Sequence, residues 1–248
     1  MPGQRYPPAS LRRPLTLRSE VVGSWGLYFL FLVPPLVLGL AVQWYLKRSF
    51  AQQSAVQVMN GMTGAEVARA VLDANGLQHV PVNESPGGPL SDHYDPRKRA
   101  VFLSHPVFAE RSVSASAVAA HEVGHAIQHQ EAYSFFRVRS ALFPAVAISS
   151  SLWMWLLLAG IILQVTGLAL VAVALYAVAV LFHFVTLPVE FDASRRAGIQ
   201  LQNLGLVTAG EAGGVKKVLN AAAMTYVAGA LAALTQLLYF ALMFLGDD

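Results

Sequence analysis

Residues 141–189, ALFPAVAISSSLWMWLLLAGIILQVTGLALVAVALYAVAVLFHFVTLPV, contain no Asp, Glu, Lys or Arg. A helix needs about 20 apolar residues to cross a bilayer, and this stretch has 49. It therefore predicts two transmembrane helices joined by a tight turn, which we place at residues 164–167. Such a pair returns the chain to the side of the membrane from which it left.

Two further runs without charge, residues 24–46 and 218–245, each predict one more span. The first run is too long for a cleaved signal peptide and follows 23 residues of polar and basic character, so we expect it to remain as an anchor. Its ends carry the aromatic and basic residues typical of membrane interfaces, which are Trp25, Trp44, Tyr45, Lys47 and Arg48. The chain is 55% hydrophobic and 12% charged, with a mean hydropathy of +0.51. These values favour a mainly α-helical protein with four transmembrane helices in the lipid bilayer.

The remaining composition restricts the chemistry. The chain has no cysteine, which excludes disulfides and thiolate zinc sites, so any metal ligands must be nitrogen or oxygen atoms. The net charge is +3, and the basic residues cluster beside the predicted spans. We interpret that pattern as a signal of membrane topology rather than of nucleic-acid binding.

The polar segments lie between the spans. Residues 1–23 predict a disordered basic tail. Residues 47–140 form the main polar segment and residues 190–217 a second one. Within the former, Thr63 and Glu66 predict a capping box at the start of a helix over residues 64–74. A β-hairpin is expected next, with arms at 90–94 and 100–103, followed by a helix over residues 112–130.

This last helix contains the motif HEVGH, residues 121–125. Residues four apart project from the same face of a helix, so His121 and His125 can share one Zn²⁺. Glu122, between them, is then placed to act as general base on a zinc-activated water. An ordinary polar helix face is the alternative interpretation of this motif.

Catalytic zinc sites have three protein ligands and a water. Glu190 is the best candidate for the third, because the folded-back helical pair returns it to the membrane face of the motif; Asp192 is the runner-up. His129 would be a third ligand on one straight helix and cannot converge well with the other two, so we expect it at the surface or behind the site. Gln128 and Glu131 occupy positions where the metzincin pattern requires Gly and His, which excludes that class.

Substrate contacts are less well defined by the sequence. The hairpin can offer an edge strand to an extended peptide, or it can only cover the helix. His93, Tyr94 and Tyr226 are candidate contacts for the substrate or for the oxyanion, and each can equally be structural.

Several motifs resemble the YugP-type neutral zinc metallopeptidases of bacterial membranes. They are TGAEVA (63–68), DHYDPR (92–97), AAHEVGHAIQHQ (119–130), LPVEFDASRR (187–196) and KKVL (216–219). The resemblance covers roughly residues 60–245. It implies a zinc-dependent integral-membrane peptidase of the gluzincin type, with a small α+β zincin-like domain at the membrane surface. His121, His125 and a downstream glutamate would be its ligands.

The layout is more distantly similar to the HtpX-type and CAAX-type membrane proteases. In those families the third ligand opens a Glu-x-x-x-Asp motif, whereas Ser194 stands here at the position of the Asp. A ligating histidine usually donates its second N–H to a carboxylate or carbonyl. The departure therefore leaves open which group supports the histidines.

Together these observations predict a zinc-dependent endopeptidase, with one Zn²⁺ per chain, that cleaves membrane or membrane-adjacent proteins. The alternatives are a membrane adaptor or chaperone with an inactive zinc fold and an intramembrane site-2-type protease. Eight basic residues near the spans on the face of the motif, against three on the other face, predict a bacterial inner-membrane protein with a cytoplasmic active site. The oligomeric state is left open.

Overall fold

The computed structural model describes residues 17–245, which form seven helices and three strands. In chain order they are α1 (Leu17–Ser54), α2 (Gly64–Ala74), β1 (Val82–Glu84), β2 (His93–Asp95), β3 (Ala100–Leu103), α3 (His105–Ala109), α4 (Val113–Gln130), α5 (Ser134–Ile162), α6 (Thr166–Asn203) and α7 (Ala209–Leu245).

Four of these helices are long and apolar enough to cross a membrane: α1, α5, α6 and α7. They pack as neighbours in the order α1, α7, α6, α5. Large apolar side chains such as Leu40, Trp155 and Leu242 are exposed along them, as expected for surfaces that face lipid. The turn between α5 and α6 occupies residues 163–165, so a tight turn is present but begins and ends slightly earlier than the predicted residues 164–167. The mainly helical architecture, with four helices apolar enough to span a membrane, is confirmed.

The helices extend beyond the uncharged runs. Residues 17–23 continue α1, so the prediction of a disordered tail over residues 1–23 is wrong for this part, while residues 1–16 lie outside the described residues. Similarly, α6 continues past Pro188 to Asn203. The physical reason is that extending an existing helix gains one hydrogen bond for each residue fixed, whereas starting a helix fixes several residues for its first bond. Lack of charge therefore indicates the section that can lie in lipid and not the ends of the helix.

The polar part contains a three-stranded sheet with the order β1-β3-β2. Strands β2 and β3 are antiparallel and pair Tyr94 with Val101, which confirms the predicted hairpin. The first arm is shorter than expected: Leu90 has a φ of +68°, and the side chain of Asp92 accepts hydrogen bonds from Ser104 instead of continuing a strand. Strand β1, parallel to β3, was not predicted. The capping box of Thr63 and Glu66 is present at the start of α2.

Helix α4 lies at the centre of the polar part. It contacts α2, the sheet, α6 and α7, and most of its residues are buried. The core around it consists of aliphatic side chains from all of these elements, among them Val67, Leu72, Val101, Val123 and Leu201. The helix with the HEVGH motif is thus held from several sides, which restricts where its histidines can point.

Candidate metal centre

Helix α4 places His121 and His125 side by side, with ring centroids 4.8 Å apart. Their side chains are only 12% and 8% exposed. The spacing of four residues brings both rings to one face of the helix, as the sequence predicts. That face is turned towards α6.

Helix α6 brings Glu190 to the two histidines. Its Oε2 lies 3.3 Å from Nε2 of His121 and 3.6 Å from Nε2 of His125. Among the described residues these three form a group whose ligand atoms all lie within 4.8 Å of one another. Tetrahedral zinc with bonds of about 2.0–2.2 Å separates neighbouring ligand atoms by about 3.3–3.6 Å. Both oxygen–nitrogen distances match this spacing, so the two nitrogens and the carboxylate oxygen could share one zinc ion.

Two polar side chains hold the histidines from behind. Oγ of Ser194 lies 3.2 Å from Nδ1 of His121. Nδ1 of His125 donates a hydrogen bond to the amide oxygen Oε1 of Gln128, at 3.0 Å. Gln128 is fully buried and donates its own N–H groups to the carbonyl of Val189 and to Asp192. Both Nδ1 atoms are therefore occupied, which leaves both Nε2 atoms for a metal.

A close approach of two helices makes this meeting possible. A Cβ atom at Gly124 would lie 2.7 Å from the carbonyl oxygen of Ala193 and 3.2 Å from its Cα. Such distances are too short for a side chain, so α4 and α6 can touch here only because residue 124 is glycine. The contact lies between the two histidines on α4 and beside Glu190 on α6.

Glu122 lies beside this group and is 7% exposed. Burial raises the pKa of its carboxyl to about 7, while the neighbouring His121 and the backbone N–H of Tyr94 act in the opposite direction. A carboxyl group with a pKa near neutrality is suited to accept a proton and to release it again. Strand β2 reaches the site through that N–H.

A cavity of about 680 Å³ opens in front of Glu122, His125 and Glu190. One wall is the β2 region, and the other comes from α5 and α7. The three contacts suggested by the sequence all line it. The ring of His93 stacks on Phe102, the hydroxyl of Tyr94 bonds to Nδ1 of His129 at 2.9 Å, and Tyr226 belongs to α7.

Asp192 and Arg139 do not have the positions that the sequence suggested for them. Asp192, the runner-up ligand, lies outside the group because its carboxylate bonds to Gln128, Arg195 and Arg196. Arg139, which was not predicted as a site residue, lines the cavity, and its Nη1 lies 3.4 Å from Oε1 of Glu190. Its position just before an uncharged run was the available signal, but it indicated topology only.

Comparisons with known proteins agree with these features. The family model described as "Putative neutral zinc metallopeptidase" matches residues 28–245. The chain is also similar to "Putative membrane protease YugP" of Bacillus subtilis (strain 168), with 47% identity over 218 residues, which cover 88% of this chain and 96% of that protein. No solved structure matches the chain. The match over most of its length, which includes the candidate metal ligands, shows that the chain belongs to the family described as "Putative neutral zinc metallopeptidase".

Proposed function

We propose that this protein is a zinc-dependent integral-membrane endopeptidase of the gluzincin type. His121, His125 and Glu190 would hold one Zn²⁺ per chain, and Glu122 would be the general base. The observation that carries the proposal is the convergence of Oε2 of Glu190 on the two Nε2 atoms at 3.3 and 3.6 Å. All three side chains are polar, and burying polar groups together costs free energy unless they are paired. Hydrophobic packing of α4 against α6 therefore does not explain why they converge.

The protein side of the mechanism follows from the geometry. Zinc, when bound, supplies a Lewis acid and lowers the pKa of water. Glu122 accepts a proton from the attacking water and passes it to the leaving amine. Gln128 keeps His125 in the tautomer that leaves Nε2 free, and Ser194 bonds to the Nδ1 side of His121. Tyr226, His93 and Tyr94, on the cavity walls, are candidates to stabilise the oxyanion.

The cavity indicates the kind of substrate. Strand β2 is an edge strand of the sheet, so an extended peptide can pair with it through main-chain hydrogen bonds. The opposite wall includes Phe136 and Phe143, which belong to α5, a candidate span. A cavity between a strand edge and a membrane helix favours extended, partly apolar segments that lie close to the bilayer. We therefore propose membrane or membrane-adjacent proteins as substrates, and we expect no nucleic-acid partner.

The decisive experiment separates metal binding from hydrolysis. We expect Glu122→Gln to keep zinc and to lose hydrolysis by a factor of about 10² or more, whereas Glu190→Gln should lose zinc itself. Glu110→Gln, an exposed position at the end of α3, is the matched control. Zinc content is measured on the purified chains, and cleavage by comparing protein fragments in membranes that contain each variant.

Each outcome has a distinct meaning. Wild-type protein that binds zinc but yields no fragments dependent on Glu122 would support the adaptor or chaperone alternative. Fully active Glu122→Gln would exclude the general-base role. The intramembrane alternative has less support, since α4 is not among the helices of the described chain that are apolar enough to cross a membrane.

We further propose that the site faces the cytoplasm from a bacterial inner membrane, because basic residues near the spans are concentrated on its side. With four spans, the distal end of α7 would then lie on the non-cytoplasmic side of the membrane. A reporter fused after Asp248 tests the orientation: alkaline phosphatase should be active there and a fluorescent protein that folds only in the cytoplasm should be dark. The reverse result would place the site outside.

A further inference from the structure

A second cavity lies between α6 and α7, away from the one described above. Its volume is about 300 Å³, and its lining includes Phe191, Arg195, Lys216, Leu219 and Ala223. No acidic side chain lines it. We propose that this groove binds one anionic phospholipid.

The arrangement of the lining matches the two parts of a lipid. Helices α6 and α7 are joined by residues 204–208 and run in opposite directions, so Phe191 and Ala223 lie at the end of the groove farthest from that connection. That end adjoins the uncharged runs 141–189 and 218–245. Arg195 and Lys216 lie just beyond these runs. An acyl chain can follow the apolar end while the phosphate meets the two cations.

The charge balance around the groove leaves a positive excess. Arg195 pairs with Asp192, and Arg196 pairs with both Asp192 and Glu131, so two carboxylates balance these two guanidinium groups. The side chain of Lys216 makes no ion pair or hydrogen bond with the described residues. A phosphodiester carries a single negative charge, which can neutralise the unpaired charge of Lys216. Basic pockets between membrane helices are typical sites for anionic head groups.

The neighbouring residue provides a contrast. Lys217 donates to Oε1 of Gln52 at 2.6 Å and does not line the groove. The two lysines share sequence context and distance from the spans, so any effect of bulk membrane charge should be equal for both. An effect of the groove should belong to Lys216 alone.

The groove also adjoins the candidate metal centre. Ser194 lines it, and the Oγ atom of Ser194 contacts Nδ1 of His121 at 3.2 Å. One side chain therefore separates the lipid site from the metal ligands. The lipid proposal itself does not depend on zinc binding or on peptidase activity.

The test is the binding of phosphatidylglycerol to the purified full chain in detergent, measured by native mass spectrometry with phosphatidylcholine as the uncharged reference. We expect wild-type protein to retain one phosphatidylglycerol in preference to phosphatidylcholine. Lys216→Gln should bind it about five-fold more weakly, the factor for one lost cation near an anionic lipid. Lys216→Arg should retain wild-type binding, and Lys217→Gln should not change it.

Three results would overturn the proposal. The first is equal weakening by Lys216→Gln and Lys217→Gln, which would indicate unspecific surface charge. The second is binding of soluble glycerol phosphate as tight as that of the lipid, because the groove would then hold only an anion. The third is that the wild-type chain does not prefer phosphatidylglycerol over phosphatidylcholine but binds an acidic peptide in the groove. The partner would then be a protein segment and not a lipid.

Discussion

Gly124→Ala tests whether the contact between α4 and α6 positions the candidate metal ligands. The new Cβ would lie 2.7 Å from the carbonyl oxygen of Ala193, whereas ordinary van der Waals contact begins at 3.4 Å. The two helices would have to separate locally by about 0.7 Å, since the opposing atom is backbone and cannot rotate away. Metal sites tolerate displacements of about 0.5 Å.

Two opposing effects determine the change in stability. Alanine in place of glycine inside a helix stabilises it by up to about 1 kcal/mol, and overpacking of a well-packed contact costs about 1–3 kcal/mol. The cost should exceed the gain at Gly124. Gly213 in α7 is the matched control, because nothing lies within 4 Å of a Cβ there. Gly213→Ala should therefore be neutral or stabilising by up to about 1 kcal/mol.

The assay combines zinc affinity with unfolding of the metal-free protein. We expect Gly124→Ala to weaken zinc binding about ten-fold or more, the effect of disturbing the support of a metal ligand, and to lower the free energy of unfolding. Gly213→Ala should keep wild-type zinc affinity. If Gly124→Ala bound zinc as tightly as wild-type protein and gained stability like the control, the close approach would not be what positions Glu190 against the histidines.

Two further substitutions address the support and the chemistry of the site. Gln128→Met removes the acceptor of His125 and the donor to the carbonyl of Val189, so zinc affinity should fall about 10- to 100-fold. Gln130→Met, at the exposed end of α4, is the control and should leave zinc affinity unchanged. Equal zinc affinities of the two variants, measured by chelator competition, would contradict the role of Gln128. Tyr226→Phe should keep zinc but lower the turnover of a cleaved membrane substrate by about 10²-fold if the hydroxyl stabilises the oxyanion. Unchanged turnover would make Tyr226 a wall of the cavity only.

Features that depend on local sequence were predictable. A run of 49 residues without charge has no stable place outside lipid or a core, and its length alone requires two spans. The capping box of Thr63 and Glu66 and the hairpin around residues 95–98 depend on residues three or four apart, so tertiary contacts change them little. The common face of His121 and His125 is likewise a property of a single helix.

Strand β1 is an element that local sequence patterns did not predict. It has three residues and pairs in parallel with β3, which follows it only after the intervening strand β2. Short strands of this kind depend on their partners more than on their own residues. The ends of the long helices were also undetermined, because a helix continues through polar residues once it is formed.

The sequence by itself determined that four apolar helices accompany an HExxH helix and that Glu190 could reach its face. Only the tertiary structure decided which atoms meet there, because the answer depends on how α4 and α6 are rotated and how closely they pack. That packing selects Ser194 and Gln128 as supports for the histidines, although no carboxylate stands at position 194. It also directs Asp192 away from the metal candidates and brings Arg139 to Glu190.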